Sequence, residues 1–82
     1  MTPEQCRAAR GWLNWTQAAL ADASRTGLST VKDFEAGRRA PMANNLVAIQ
    51  AALEKEGIGF AFDDEKKAYG ITYTSPKKAE VG

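Results

Sequence analysis

The chain has 82 residues, 44% of them hydrophobic and 26% charged, which suits one small water-exposed domain with a modest core and not a disordered segment. Eleven Lys and Arg against ten Asp and Glu leave a net charge of +1, without the cationic excess that usually marks nucleic-acid binders. The absence of histidine removes imidazole-based acid–base and metal chemistry, and the single cysteine, Cys6, excludes an internal disulfide. No apolar run approaches the roughly 20 residues of a membrane span, and no signal-peptide pattern opens the chain, so a cytoplasmic location is expected. An enzyme this small, with neither histidine nor a cysteine pair, is disfavoured; no catalytic residue, metal or cofactor is assigned.

The chain-order reading begins with a helix over residues 2–11. Thr2 suits its cap, Pro3 its first position and Glu4 its dipole, with Gly11 as the stop. Cys6, Ala9 and Leu13 form its apolar stripe, while Arg7 and Arg10 are left for other work. Trp12 to Trp15 link it to a second helix over about 16–23, capped by Thr16, with Trp15 and Leu20 at staple spacing and Ala19 where a capping-box glutamate would stand. Both tryptophans are expected in the core, and Cys6 reads as a small buried apolar residue.

After a Ser24–Gly27 turn, a third helix over about 28–36 ends at Gly37, with Val31 and Phe34 inward. Arg38-Arg39-Ala40-Pro41 is a basic extended link. A fourth helix follows from Met42 or Ala43 to Glu56, with Leu46, Ile49 and Leu53 on one face and Gly57 at its end. Beyond it, Phe60–Phe62 and Ile71–Thr74 are β-prone and separated by the polar stretch Asp63–Gly70, which favours a hairpin packed on the helices or on a second copy. Asp63-Asp64-Glu65 reads as an acidic turn, because the spacing of a calcium loop is missing. A tail from Ser75 is expected to be disordered. The expected organisation is therefore a mainly α domain of four to five helices over 1–57, a β appendage over 58–74 and a tail over 75–82.

The residues that suggest function are Thr16-Gln17-x-x-Leu20-Ala21, Ser29-Thr30-Val31, Phe34-Glu35-x-Gly37-Arg38-Arg39-x-Pro41 and the apolar run Leu46 to Leu53. In this order and spacing, over about residues 3–57, they resemble the Cro-like phage-repressor family, also called XRE. The resemblance implies a helix-turn-helix whose third helix recognises a partner, and an ion pair between Arg10 and Glu35 joining the first and third helices. Gln17, at the start of the second helix, would then hold a DNA phosphate. Gly27, Leu28, Ser29, Lys32 and Asp33 would face outward, with Arg38 and Arg39 beside the phosphate backbone.

The sequence departs from the pattern at the turn. Arg25, Thr26 and Gly27 occupy places that the family usually gives to glycine, an apolar residue and serine, which leaves the third helix without a side-chain cap. Leu28 stands where a polar reader of base edges is common; it can touch a thymine methyl but lacks the bidentate bonds worth about 1–3 kcal/mol of discrimination. Asp33 repels phosphate unless it accepts from a cytosine amine. Two partners therefore compete for the same face. One is double-stranded operator DNA, bound by Gln17, Arg25, Thr26, Gly27, Leu28, Ser29, Lys32, Asp33, Arg38 and Arg39. The other is a second transcriptional regulator, occluded by an antiactivator that uses the same residues, with an antitoxin-like regulator as a variant. A homodimer is a further expectation, and a membrane partner is not. Residues 1–57 hold seven cations and six anions, so the near-neutrality lies in the recognition domain itself.

Overall fold

A computed structural model describes residues 1–75 and contains α1 (Pro3–Leu13), α2 (Gln17–Ser24), α3 (Leu28–Glu35), α4 (Ala43–Lys55), β1 (Ile58–Phe62) and β2 (Ala68–Tyr73). The fold is mainly helical, with an antiparallel hairpin at the end of the described chain. The expected tail beyond Ser75 lies outside the described residues. No described helix is long and apolar enough to cross a membrane.

The helix ends follow local chemistry. Thr2 caps α1 through a capping box: its hydroxyl accepts from the Gln5 N–H at 3.1 Å, and the Gln5 side-chain oxygen accepts from the Thr2 N–H at 3.0 Å. Contrary to the expected stop at Gly11, α1 continues to Leu13. The terminator is Asn14, a residue tolerant of the left-handed conformation that it adopts with φ 59°, while the Trp15 N–H closes onto the Arg10 carbonyl at 2.9 Å. The same closure ends α2, where Arg25 is left-handed at φ 59° and the Thr26 N–H bonds the Ala21 carbonyl at 3.0 Å. It recurs after α3, where Gly37 takes φ 74° and the Arg38 N–H bonds the Asp33 carbonyl at 2.9 Å.

Cys6 and Ala9 of α1, Leu20 and Ala21 of α2, Val31 and Phe34 of α3, Ile49 and Leu53 of α4 and Ile58 of β1 form the buried core. Leu13, Trp15, Leu46, Phe60 and Ile71 pack around it, half-buried. Trp12 departs from expectation. It lies in the two residues by which the helix outruns that stop and is 62% exposed, its ring meeting Tyr73 at a centroid distance of 5.5 Å.

The hairpin starts earlier on both strands than the apolar residues suggested. Ile58 pairs with Tyr73, Phe60 with Ile71 and Ala61 with Gly70; a bulge then shifts Phe62 onto Ala68 and leaves Tyr69 as the extra residue. The polar connection shrinks to Asp63–Lys67, because the Asp63 carboxylate accepts from the Glu65 and Lys67 N–H groups at 2.8 and 2.9 Å. Gln5, almost fully buried, ties the hairpin to α1: its amide nitrogen donates to the carbonyls of Ala61 at 3.1 Å and Gly70 at 2.9 Å.

Candidate functional site

The helices α2 and α3 are joined by Arg25–Gly27, and α1, α2 and α3 are all locked by one carboxylate. Glu35, on the inner side of α3, is 2% exposed. Its Oε2 accepts from Arg10 Nε at 2.7 Å and from Cys6 Sγ at 3.2 Å; its Oε1 accepts from Arg10 Nη2 at 2.7 Å and from Gln17 Nε2 at 3.0 Å. Donors from α1 and α2 thus converge on α3. Arg10 also donates from Nη1 to the Trp15 carbonyl at 2.9 Å, and Arg7 Nη1 donates to the Glu35 backbone carbonyl. Burial opposes ionisation of Glu35. The hydrogen bonds from Arg10, Gln17 and Cys6, together with the guanidinium charge, outweigh it and hold the carboxyl below the ordinary glutamate value. Burial, and then the bond to Glu35, push the Cys6 thiol far up, so this cysteine is a neutral donor in the lock and a poor nucleophile.

The lock settles several side chains. The Arg10–Glu35 pair joins α1 to α3, as the resemblance implied. Gln17, expected to reach outward, instead turns its amide inward onto Glu35 and is half-buried. Ala18 and Ala19 remain exposed at the start of α2, where the Thr16 hydroxyl accepts from the Ala19 N–H at 3.0 Å. Thr26 is half-buried, its hydroxyl 2.9 Å from that of Ser24, so a hydroxyl pair stands where an apolar turn anchor is usual.

With Val31, Phe34 and Glu35 inward, α3 exposes Leu28 (40%), Ser29 and Lys32, while Asp33 lies at the margin. Gly27 is its N-cap and supplies no side-chain bond. Arg25, Arg38 and Arg39 are all exposed. Asp33 is not isolated: its Oδ1 accepts from Arg38 Nε at 3.3 Å in an exposed pair, which cancels much of its charge on that face. Ser29, Thr30, Asp33 and Arg39 share a shallow groove of about 240 Å³ with Pro41, Met42 and Asn45. Met42, which is not among the residues expected on this surface, is 72% exposed. Its only signal was an apolar side chain at a helix start, where packing does not require one.

No curated protein matches the sequence significantly. A family model described as helix-turn-helix matches residues 7–58, which run from within α1 to the start of β1 and so contain both the Arg10–Glu35 pair and the exposed face of α3. The chain belongs to the helix-turn-helix family of XRE/Cro-like regulators.

Proposed function

We propose that this regulator binds operator DNA by laying the exposed face of α3 in the major groove. The observation that carries the reading is the combination of a rigid three-helix lock behind α3 and an unobstructed outer face made of Leu28, Ser29 and Lys32. Lys32 and Ser29 reach base edges or phosphates, and Leu28 contacts a thymine methyl. Arg38 and Arg39, just beyond α3, meet the phosphate backbone, as does Arg25 in the turn. Gln17 contributes by holding the start of α2 in place, and the N–H groups of Gln17 and Ala18, ahead of the Ala19 N–H that Thr16 caps, face the phosphate. Asp33, partnered by Arg38, accepts from a cytosine amine.

A second reading has its own observation. Leu28 and Met42, at the starts of α3 and α4, are both exposed apolar side chains on a nearly neutral domain. Apolar anchors within a polar rim suit a protein partner, so the same face would occlude another transcription factor as an antiactivator. An antitoxin-like role uses the same contacts. Fluorescence anisotropy against DNA from the gene's own neighbourhood separates these readings. Sequence-selective binding that weakens at least tenfold in Lys32→Ala supports the DNA reading. Absence of binding at low salt, with co-purification of another regulator that Leu28→Ala abolishes, supports the second and sinks the first.

A further inference from the structure

A cleft of about 630 Å³ lies between the first two turns of α1 and the stretch Lys66–Gly70, apart from the α3 face and within the size range of small-molecule sites. Its floor is fixed. Gln5, 2% exposed, donates from its amide to the Ala61 and Gly70 carbonyls and accepts from the Thr2 N–H, so the contacts left for a guest come from the rim. The α1 wall presents Glu4, and the hairpin wall presents Lys66, Lys67 and Tyr69, all exposed. Two of these residues stand where local backbone preferences are broken. Lys66 is left-handed at φ 68°, a conformation that glycine or asparagine takes more readily. Tyr69 is the extra residue of the bulge and is 72% exposed, and a bulge re-aims the side chain that it carries. Neither side chain is needed to hold the hairpin, and departures of this kind gather at sites that bind. The acidic residues Asp63, Asp64 and Glu65 of the same loop do not line the cleft; the Asp63 carboxylate is spent on the Glu65 and Lys67 N–H groups.

We propose that this cleft binds a small aromatic anion whose ring carries an N–H donor, held between α1 and the hairpin. Tyr69 supplies a ring face for stacking. Lys66 and Lys67 supply two ammonium groups for a carboxylate or phosphate. Glu4, on the opposite wall, accepts from the ring N–H. Two sources share this chemistry, a nucleoside monophosphate and an aromatic carboxylate. A ligand in this place bridges the hairpin to α1, the helix that carries Cys6, Arg7 and Arg10 of the Glu35 lock, and so stabilises the folded domain by mass action.

Isothermal titration calorimetry of the full chain with guanosine monophosphate and, separately, with indoleacetate tests this. One-to-one binding of either probe supports the site, and the probe that binds identifies the source. Amide chemical-shift changes then fall on residues 2–8 and 66–70. Tyr69→Ala weakens binding about tenfold or more. Lys66→Gly weakens it about threefold or more, while the thermal midpoint of the free protein is kept or raised because the left-handed backbone is relieved. That pair of readouts separates loss of a cation from loss of the fold. Failure of both probes to bind at millimolar concentration overturns the proposal. So do shift changes centred on α3, or wild-type affinity in both Tyr69→Ala and Lys66→Gly.

Discussion

Replacing Arg10 by methionine keeps the aliphatic stem and removes the charge that faces Glu35. Glu35 is 2% exposed and loses both 2.7 Å bonds, but it retains Gln17 Nε2 and Cys6 Sγ as donors. Leaving a buried charge without its partner costs about 3–5 kcal/mol, and the retained donors put this site at the lower end, about 3 kcal/mol. A domain of this size has only about 4–12 kcal/mol in total, so the thermal midpoint drops by roughly 12–24 °C. The pH dependence identifies the cause. In the wild type the Glu35 carboxyl is held below its ordinary value; its contribution is complete above the unfolded-state pKa and disappears as pH falls through the folded one. Without Arg10, burial dominates and raises the folded value above the unfolded one, so this residue's contribution is present at low pH and lost as pH rises. Urea unfolding at about pH 7 and about pH 3.5 will therefore show a stability deficit that is large at neutrality and shrinks in acid. An equal deficit at both pH values, or one below about 1 kcal/mol at neutrality, refutes the role of the lock. Arg10→Met combined with Glu35→Leu recovers most of the loss, because a well-packed apolar pair avoids the stranded charge.

Other substitutions test the local geometry. Gly11 lies inside α1 with open space where a Cβ would sit, so Gly11→Ala stabilises by about 0.5–1 kcal/mol in urea melts. Arg25→Gly, the reverse exchange at a left-handed position, also stabilises, by about 0.5–1 kcal/mol; a loss would contradict the φ of 59°. Gly27→Asp adds the missing cap to α3 without a clash and raises stability by a few tenths of a kcal/mol, read as a higher urea midpoint. Gln5→Ala removes the bonds to the Ala61 and Gly70 carbonyls and costs about 1–3 kcal/mol. Hydrogen exchange then shows faster opening of the hairpin than of α2 and α3; uniform acceleration across the domain would contradict this.

Much of the fold was readable from residues whose local chemistry acts alone. Thr2, Thr16, Gly37 and Gly57 mark helix ends through caps and left-handed backbone, and Val31, Phe34, Ile49 and Leu53 turn inward by helical spacing. Trp12 was misplaced because glycine also occurs in helix interiors; the stop depended on Asn14 adopting a conformation that few residues other than glycine accept. Gln17 was misdirected for another reason. Its side chain chooses between solvent and a carboxylate eighteen residues away, and only the packing of α2 on α3 brings Glu35 within 3.0 Å. The roles of Cys6 and Gln5 were similarly hidden, because each donates to an acceptor distant in sequence. The Arg10–Glu35 pair was visible only through the family resemblance, which carries spatial information that composition does not.

The salt dependence of DNA affinity tests the central claim most directly. Lys32, Arg38, Arg39 and Arg25 give each protomer up to four cations near the proposed face, and Arg38 is shared with Asp33. If α3 docks on DNA, the logarithm of the association constant falls linearly with the logarithm of salt concentration, with a slope of about −3 per protomer, and Lys32→Ala flattens that slope by about one. Affinity independent of salt, or an unchanged slope and affinity in Lys32→Ala, would contradict DNA recognition by this face.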